Sequence, residues 1–461
     1  DDLARARRGE EGAQIIVRAI TGRSATMAMA RGAALRRPRL ARALSDDARA
    51  ASRLGSASGG REAWERALAP GLARVDARVT DAVSALEDLR SDVPKWRCAF
   101  GAVRAIAGAN NKHLLRPQLV LMGHTAARGH AEAAMQDPSP ALVDFAAGVE
   151  LQHLFMFVHD DMMDQALQRR GQDTIQVALR KQDRAEREAA GGSSRNVSAQ
   201  TIQYLTTLVG DVLQAKSAQL LASGERGCGG AGALGGPSAM DVVLDGAFRA
   251  GAAQFDDILG WAAVESSLAA EGPSSEAGSR LLVRLLHDKA SFHSFAAPLV
   301  AGIRLGAAEP MPDLEAACEE VAMHVGAAFQ GIDDVVDFVV DAKDSGKDRL
   351  QDLQAGRLSL PLFLLRQEAT PAEWAEVVAI LGSQSVLAPS ERHHLLKMVQ
   401  KYDLTSAALS FVDDEISRAR AGLDDQALAA AEAAVLRRGL GVFVDGLAAI
   451  AANLRRQTAP P

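Results

Sequence analysis

Two acidic clusters, each closing an apolar helical run, constrain this chain more than any other feature. The first is His159-Asp160-Asp161-Met162-Met163-Asp164, and the second ends in Asp333-Asp334-Val335-Val336-Asp337. Each sets Asp at i, i+1 and i+4. On an α-helix those offsets fall at about 0°, 100° and 40°, so the three carboxylates share one face. Such a face is self-repelling and costly unless water, cations or basic side chains compensate. The apolar runs 154–158 and 325–332 precede the clusters and place the acids beside a core. The chain must therefore fold so that two helices carry carboxylates to one wet cavity in an apolar surround, which a helical bundle does.

The rest of the sequence agrees. Helical spacing of apolar residues runs through 142–158, 203–222, 240–263, 279–305, 313–340 and several segments from 359 onward. Aromatics are only 4% of the 461 residues, and strand signals are scarce. The expected fold is all-α. Residues 1–95 read as an Arg- and Ala-rich N-terminal extension, partly disordered, and 96–461 as the helical domain. Within the extension, 44–62 reads as a linker. Residues 64–90 read as a helix, with Leu68, Leu72, Val75 and Val79 on the face that packs onto the helical domain. Residues 181–200 and 223–238 read as surface insertions between helices.

Residues 12–45 carry seven Arg and no Asp or Glu. That composition fits either a biased tail or an organelle transit peptide. The expected location is the cytoplasm, or a plastid or mitochondrion if the segment is a transit sequence. The first residue is not Met, as in a processed chain or a fragment. A net charge of −7 argues against a nucleic-acid surface. No run of 18 uncharged apolar residues suggests a transmembrane helix. Cys98, Cys228 and Cys318 lie far apart and read as reduced thiols.

Hard oxygen donors in such clusters suit Mg2+, which takes one or two carboxylates and shares its remaining sites with water and phosphate. Two such clusters facing each other across a helical bundle would hold several Mg2+ around one diphosphate. The basic residues fit that anion. Arg169 and Arg170 follow the first cluster, Lys347 follows the second, Lys289 lies between them, and Lys112 and Arg116 lie upstream. Guanidinium forks bind phosphate oxygens bidentately, and the chain has only nine lysines.

These residues resemble the trans-isoprenyl diphosphate synthases, or polyprenyl synthetases. VELQHLFMFVHDDMMDQALQRRGQDT is similar to their first aspartate-rich region, and GAAFQGIDDVVDFVVDAKDSGKDRLQDLQAGRLSLPL to their second. LRPQLVLMG resembles their N-terminal basic region, and VGDVLQAKS the helix between the motifs. The resemblance covers about 97–450. It implies a bundle around a deep central cavity, usually a homodimer. It also implies a reaction in which isopentenyl diphosphate is added to an allylic diphosphate. Carried over by position, Asp160, Asp161 and Asp164 form one metal clamp, and Asp333, Asp334 and Asp337 the other, which implies three Mg2+ per site. Arg169 meets the allylic diphosphate. Lys112, Arg116, His153 and Arg170 bind isopentenyl diphosphate. Lys289, Gln330 and Lys347 line the allylic diphosphate and the carbocation. The basic motif departs from the family, with His113 where a lysine is usual, and Ala290 replaces the usual Thr after Lys289.

In the family, residues four and five before the first Asp set product length. Here they are Met156 and Phe155, which imply a short to medium product, best assigned as C20 geranylgeranyl diphosphate. Two other readings remain. A class I terpene cyclase would release pyrophosphate without isopentenyl diphosphate. A non-catalytic subunit of a heteromeric synthase would be silent with every substrate.

Overall fold

Helix α1 (Ser58–Leu89) shows the apolar spacing turned into packing. Leu68, Val75 and Val79 are 2%, 0% and 1% exposed, as a repeat of three to four residues requires. The helix begins inside the stretch expected as linker, and its buried face packs on α2 (Pro94–Ala107) and α4 (Pro140–Met163). Trp64 is the reason: this early aromatic is buried to 2% and lies against the late helix α15 (Ala434–Thr458) at Gly439.

The computed structural model describes residues 58–109, 114–191, 197–229, 236–271, 284–339, 357–381, 388–430 and 433–458. The side chains of 58–61, 262–271 and 337–339 lie outside that description. The segment 12–45 and most of the expected linker, with Lys112, His113 and Lys347, also lie outside it.

The order continues with α3 (Leu115–Ala127), a short 3-10 turn (Glu132–Gln136) and α4. A hairpin of two-residue strands, β1 (Gln168–Arg169) and β2 (Gln172–Asp173), comes next. Then come α5 (Ile175–Ala189), α6 (Ala199–Cys228) and α7 (Ala239–Glu271). A ten-residue π-helix (His287–Ala296) runs directly into α8 (Ala297–Gly306), followed by α9 (Pro312–Val339). The remaining helices are α10 (Leu360–Glu368), α11 (Pro371–Leu381), α12 (Pro389–Lys401), α13 (Leu404–Gly422), α14 (Gln426–Ala429) and α15. The hairpin is the only sheet among the described residues, and the fold is all-α.

The stretches 181–200 and 223–238 are more helical than expected. Residues 181–189 complete α5, and 223–228 complete α6. The charges of α5 disguise a packed face, because Leu179 and Asp183 face inward while Lys95 pairs with Asp183 and Glu186.

Helix α4 is the central helix. It packs along α6 and touches α1 and α3. Its length and composition would let it cross a bilayer, but 72% of its apolar window is buried within the protein, as for a core helix. Ser139 caps its N-terminus by accepting from the Leu142 N–H, and Pro140 stands in the first turn, where no N–H is required. Helices α3 and α8 approach closely because Gly302 has no side chain; a Cβ there would stand 2.3 Å from the Val120 carbonyl oxygen.

Candidate active site

The first acidic cluster sits at the wrong end of its helix for stability. Asp160 and Asp161 occupy the last turn of α4, and Asp164 is its C-cap. Carboxylates there meet the negative end of the helix dipole, so cations are needed nearby. Two arginines supply them. Arg169 donates from Nε to Asp161 Oδ1 at 2.8 Å and from Nη2 to Asp160 Oδ2 at 3.0 Å. Arg357 pairs with Asp164.

The hairpin explains how Arg169 arrives. Arg170 and Gly171 form its two-residue turn, with φ of 53° and 73°. A turn with both central residues at positive φ matches strand twist. It folds the chain back so that Arg169 lies 4.4 Å and Arg170 5.4 Å from the Phe157 ring centre, as cation–π partners. Phe157 also packs against His153, with centroids 3.9 Å apart and the rings tilted by 56°. His153, Phe157, Asp160, Asp161 and Asp164 thus share one stripe of α4.

Asp161 is 3% exposed, whereas the side chains of Asp160 and Asp164 are 36% and 33% exposed. Two of the three carboxylates remain open to water and ions.

The second cluster lies near the C-terminal end of α9. Asp333 is exposed. Asp334 is buried and differently engaged: Oδ1 accepts from Gln330 Nε2 at 2.7 Å, and Oδ2 accepts from the Leu360 N–H at 2.7 Å. Gln330 therefore orients Asp334 one turn along α9. The Asp337 side chain falls outside the described residues.

The segment 357–360 joins both clusters, since Arg357 meets Asp164 and, three residues on, Leu360 meets Asp334. The same segment meets α7. Asp257 is 2% exposed and accepts from the Leu358 N–H at 2.8 Å and from Lys289 Nζ at 2.8 Å. Lys289, on the π-helix, is so brought to the acidic region. A kink at Gly260, φ 64°, ends the straight part of α7 one turn beyond Asp257. Long π-helices are rare and tend to mark functional segments.

A second basic group forms around His153. Arg116 Nη2 donates to Ser294 Oγ at 2.5 Å and lies 3.4 Å from His293 Nε2. Arg170 Nη2 is 3.7 Å from Glu150 Oε1 and Nη1 donates to the Ile106 carbonyl at 3.4 Å. Burial, reinforced by the neighbouring arginines, holds the His153 imidazole well below its usual pKa. Burial brings Arg116 down to about 10.

Phe155 and Met156 are both half-buried. Phe155 stands edge-on to His159, centroids 5.7 Å apart, and His159 Nε2 donates to the Thr207 carbonyl of α6 at 3.1 Å. By helical geometry Phe155 lies about 140° around α4 from Asp160, and Met156 about 40°. Met156 is therefore the nearer to the acidic stripe.

The structure brings Arg116, His153, Arg169, Arg170, Lys289, Gln330 and five of the six aspartates into these two groups. Four further residues of the site, Asp257, Arg357, Phe157 and His293, were not singled out by the sequence. Asp257 carried a signal, a charged residue in an apolar helical run; Arg357 carried only its place in the quoted second region. The donor set suits Mg2+: it is all carboxylate oxygen, partly exposed and flanked by cations. Among the described residues no three acidic, His or Cys side chains cage an ion unaided, and Mg2+ commonly completes its shell with waters and substrate phosphates.

The polyprenyl synthetase family profile matches residues 101–399. Octaprenyl diphosphate synthase of Escherichia coli (strain K12) is 25% identical over 259 residues, 56% of this chain and 64% of that protein. The chain thus spans just under two thirds of that relative. The short chain isoprenyl diphosphate synthase of Methanothermobacter thermautotrophicus is 24% identical over 311 residues, 67% and 79% of the two chains. Among solved structures, geranylgeranyl pyrophosphate synthase from Corynebacterium glutamicum, complexed with isoprenyl diphosphate and magnesium, superposes with a TM-score of 0.61. It is 20% identical, and the match covers 80% of this chain and 98% of that one. This likeness establishes the shared fold.

Proposed function

The chain belongs to the polyprenyl synthetase family, and on that premise we propose that it is a prenyltransferase joining isopentenyl diphosphate to an allylic diphosphate. The observation that carries the reading is the strap 357–360, which ties Asp164 of the first cluster and Asp334 of the second to one short segment. Two acidic helix ends so linked suit a single diphosphate leaving group.

Asp160, Asp164 and Asp333 would hold Mg2+, with Asp161 buried beside them. When bound, the metal neutralises charge developing on the departing diphosphate. Arg169 and Lys289 add positive charge on the same side, fixed in place before reaction by Asp161 and Asp257. Arg116, His153 and Arg170 hold isopentenyl diphosphate, and Phe157 stacks between the two sets. As the allylic C–O bond breaks, the isopentenyl double bond attacks the allylic carbon. Proton loss then gives a diphosphate five carbons longer.

The relatives differ in product length. We assign C20, because Met156 stands one turn before Asp160 near the acidic stripe, Phe155 precedes it farther round the helix, and both are bulky enough to stop a chain. The working form is a homodimer. Phe248, Phe255, Ile258 and Leu259 form a stripe on α7 that is 50% or more exposed, and Tyr204 and Leu208 of α6 are similarly open. Contiguous exposed apolar surface of this kind commonly marks an interface.

The test is a product assay. The purified protein is incubated with Mg2+, isopentenyl diphosphate and dimethylallyl, geranyl or farnesyl diphosphate in turn, and products are sized by mass spectrometry. Elongation ending at C20 is expected. Pyrophosphate release without isopentenyl diphosphate would instead mark a terpene cyclase, and silence with every primer a partner-dependent subunit. Light scattering reads the oligomeric state.

A further inference from the structure

The basic group around His153 holds polar nitrogens that the protein leaves unpartnered. Arg116 Nε, His153 Nδ1 and His293 Nδ1 are buried and without a hydrogen-bond partner among the described residues. Buried polar nitrogens are normally satisfied, so three orphans in one cluster call for a ligand. Arg116 Nε is always a donor. The state of His293 is set by its other nitrogen. Ser294 Oγ accepts from Arg116 at 2.5 Å and lies 3.0 Å from His293 Nε2, with its own proton available for that nitrogen. The Arg116 fork also points at Nε2 from 3.4 Å. Nε2 is thus the acceptor, and Nδ1 carries the hydrogen. Burial, then Arg116, brings the His293 pKa to about 3, which keeps the ring neutral in this tautomer.

Charge points the same way. Arg116 and Arg170 face one carboxylate, Glu150, and that imbalance attracts an anion. The backbone placement is tight. Against the π-helix, a Cβ on Gly246 of α7 would stand 3.1 Å from His293 Cα, and one on Gly326 of α9 would stand 2.4 Å from Ser291 Cα. The two glycines let neighbouring helices clamp the segment, so the backbone that carries the imidazole is held from both sides. His293 lies four residues after Lys289, so one short segment serves both groups of cations.

We propose that His293 is a binding residue for isopentenyl diphosphate, its Nδ1–H donating to a diphosphate oxygen beside Arg116 and His153. This rests on the prenyltransferase function proposed for the chain. Steady-state kinetics of three variants test it. Asn places an amide N–H near the Nδ1 position, Gln places one near Nε2, and Leu offers neither. His293→Leu and His293→Gln should raise KM for isopentenyl diphosphate about ten- to a hundredfold, the size of a lost bond to a charged group. KM for the allylic substrate should stay within about twofold, and His293→Asn should recover most of the affinity. Equal isopentenyl KM values for Asn and Gln would overturn the assignment, as would a matched rise for both substrates; the pair remains informative if the Leu variant does not fold. If the wild-type protein elongates nothing, the functional reading fails independently. Equilibrium binding of inorganic pyrophosphate then decides the anion site, with affinity lost in His293→Gln upholding it and affinity kept refuting it.

Discussion

Arg357 Nη1 lies 3.6 Å from Asp257 Oδ2 while its Nη2 pairs with Asp164, so a single guanidinium joins α7 to the acidic end of α4. Both Arg357 and Asp257 are less than a tenth exposed. Arg357→Leu should lower turnover at least tenfold and stability by about 1–3 kcal/mol, because Asp257 keeps Lys289 and the Leu358 N–H but loses one cation. Arg357→Lys should recover part of the turnover, since it restores charge without the planar fork. Denaturant melts and kinetics on both variants check this; equal loss in both would show that the fork rather than the charge matters.

The acidic clusters should separate chemistry from folding. Asp160→Ala and Asp333→Ala should each lower turnover about a hundredfold or more, the usual scale for removing a group that stabilises developing charge. Neither residue is deeply buried, so circular dichroism should show the helical fold intact. Normal turnover in either variant would sink the metal-clamp assignment.

Product length tests two neighbouring side chains. Phe155→Ala should lengthen the product if this ring stops the chain. Met156→Ala is the comparison, because Met156 lies closer to the acidic stripe. Mass spectrometry of prenyl products reads both, and an unchanged product from each would place the floor on another helix.

Acid should weaken the fold through partly buried imidazoles. Burial, aided by Arg128 and His130, brings His124 down to about 4, below its unfolded value near 6.5. The unfolded chain therefore takes up a proton first. The neutral ring costs nothing above pH 6.5, and stability is lost as pH falls from there toward 4, by at most about 1.4 kcal/mol per pH unit. His124→Gln should shrink the drop in melting temperature between pH 7.5 and 5. An identical drop would show that other groups dominate.

The sequence alone determined that the chain is helical and that two of its helices carry clustered carboxylates near their C-terminal ends. Helical spacing and the i, i+1, i+4 pattern are local properties, so Asp160 to Asp164 and Asp333 to Asp334 could be placed on helix faces without a tertiary structure. The likeness to a known family then ordered the cations around them. Tertiary structure decided which cation meets which acid. Arg357 lies 193 residues from Asp164 and Lys289 lies 32 from Asp257, and no periodicity reports contacts across such separations. It decided the division within the second cluster, where Asp334 is spent on Gln330 and Leu360 while Asp333 stays open. It also brought Arg116 to within 3.4 Å of His293 Nε2, a pair 177 residues apart in sequence, and no local pattern reports such a contact.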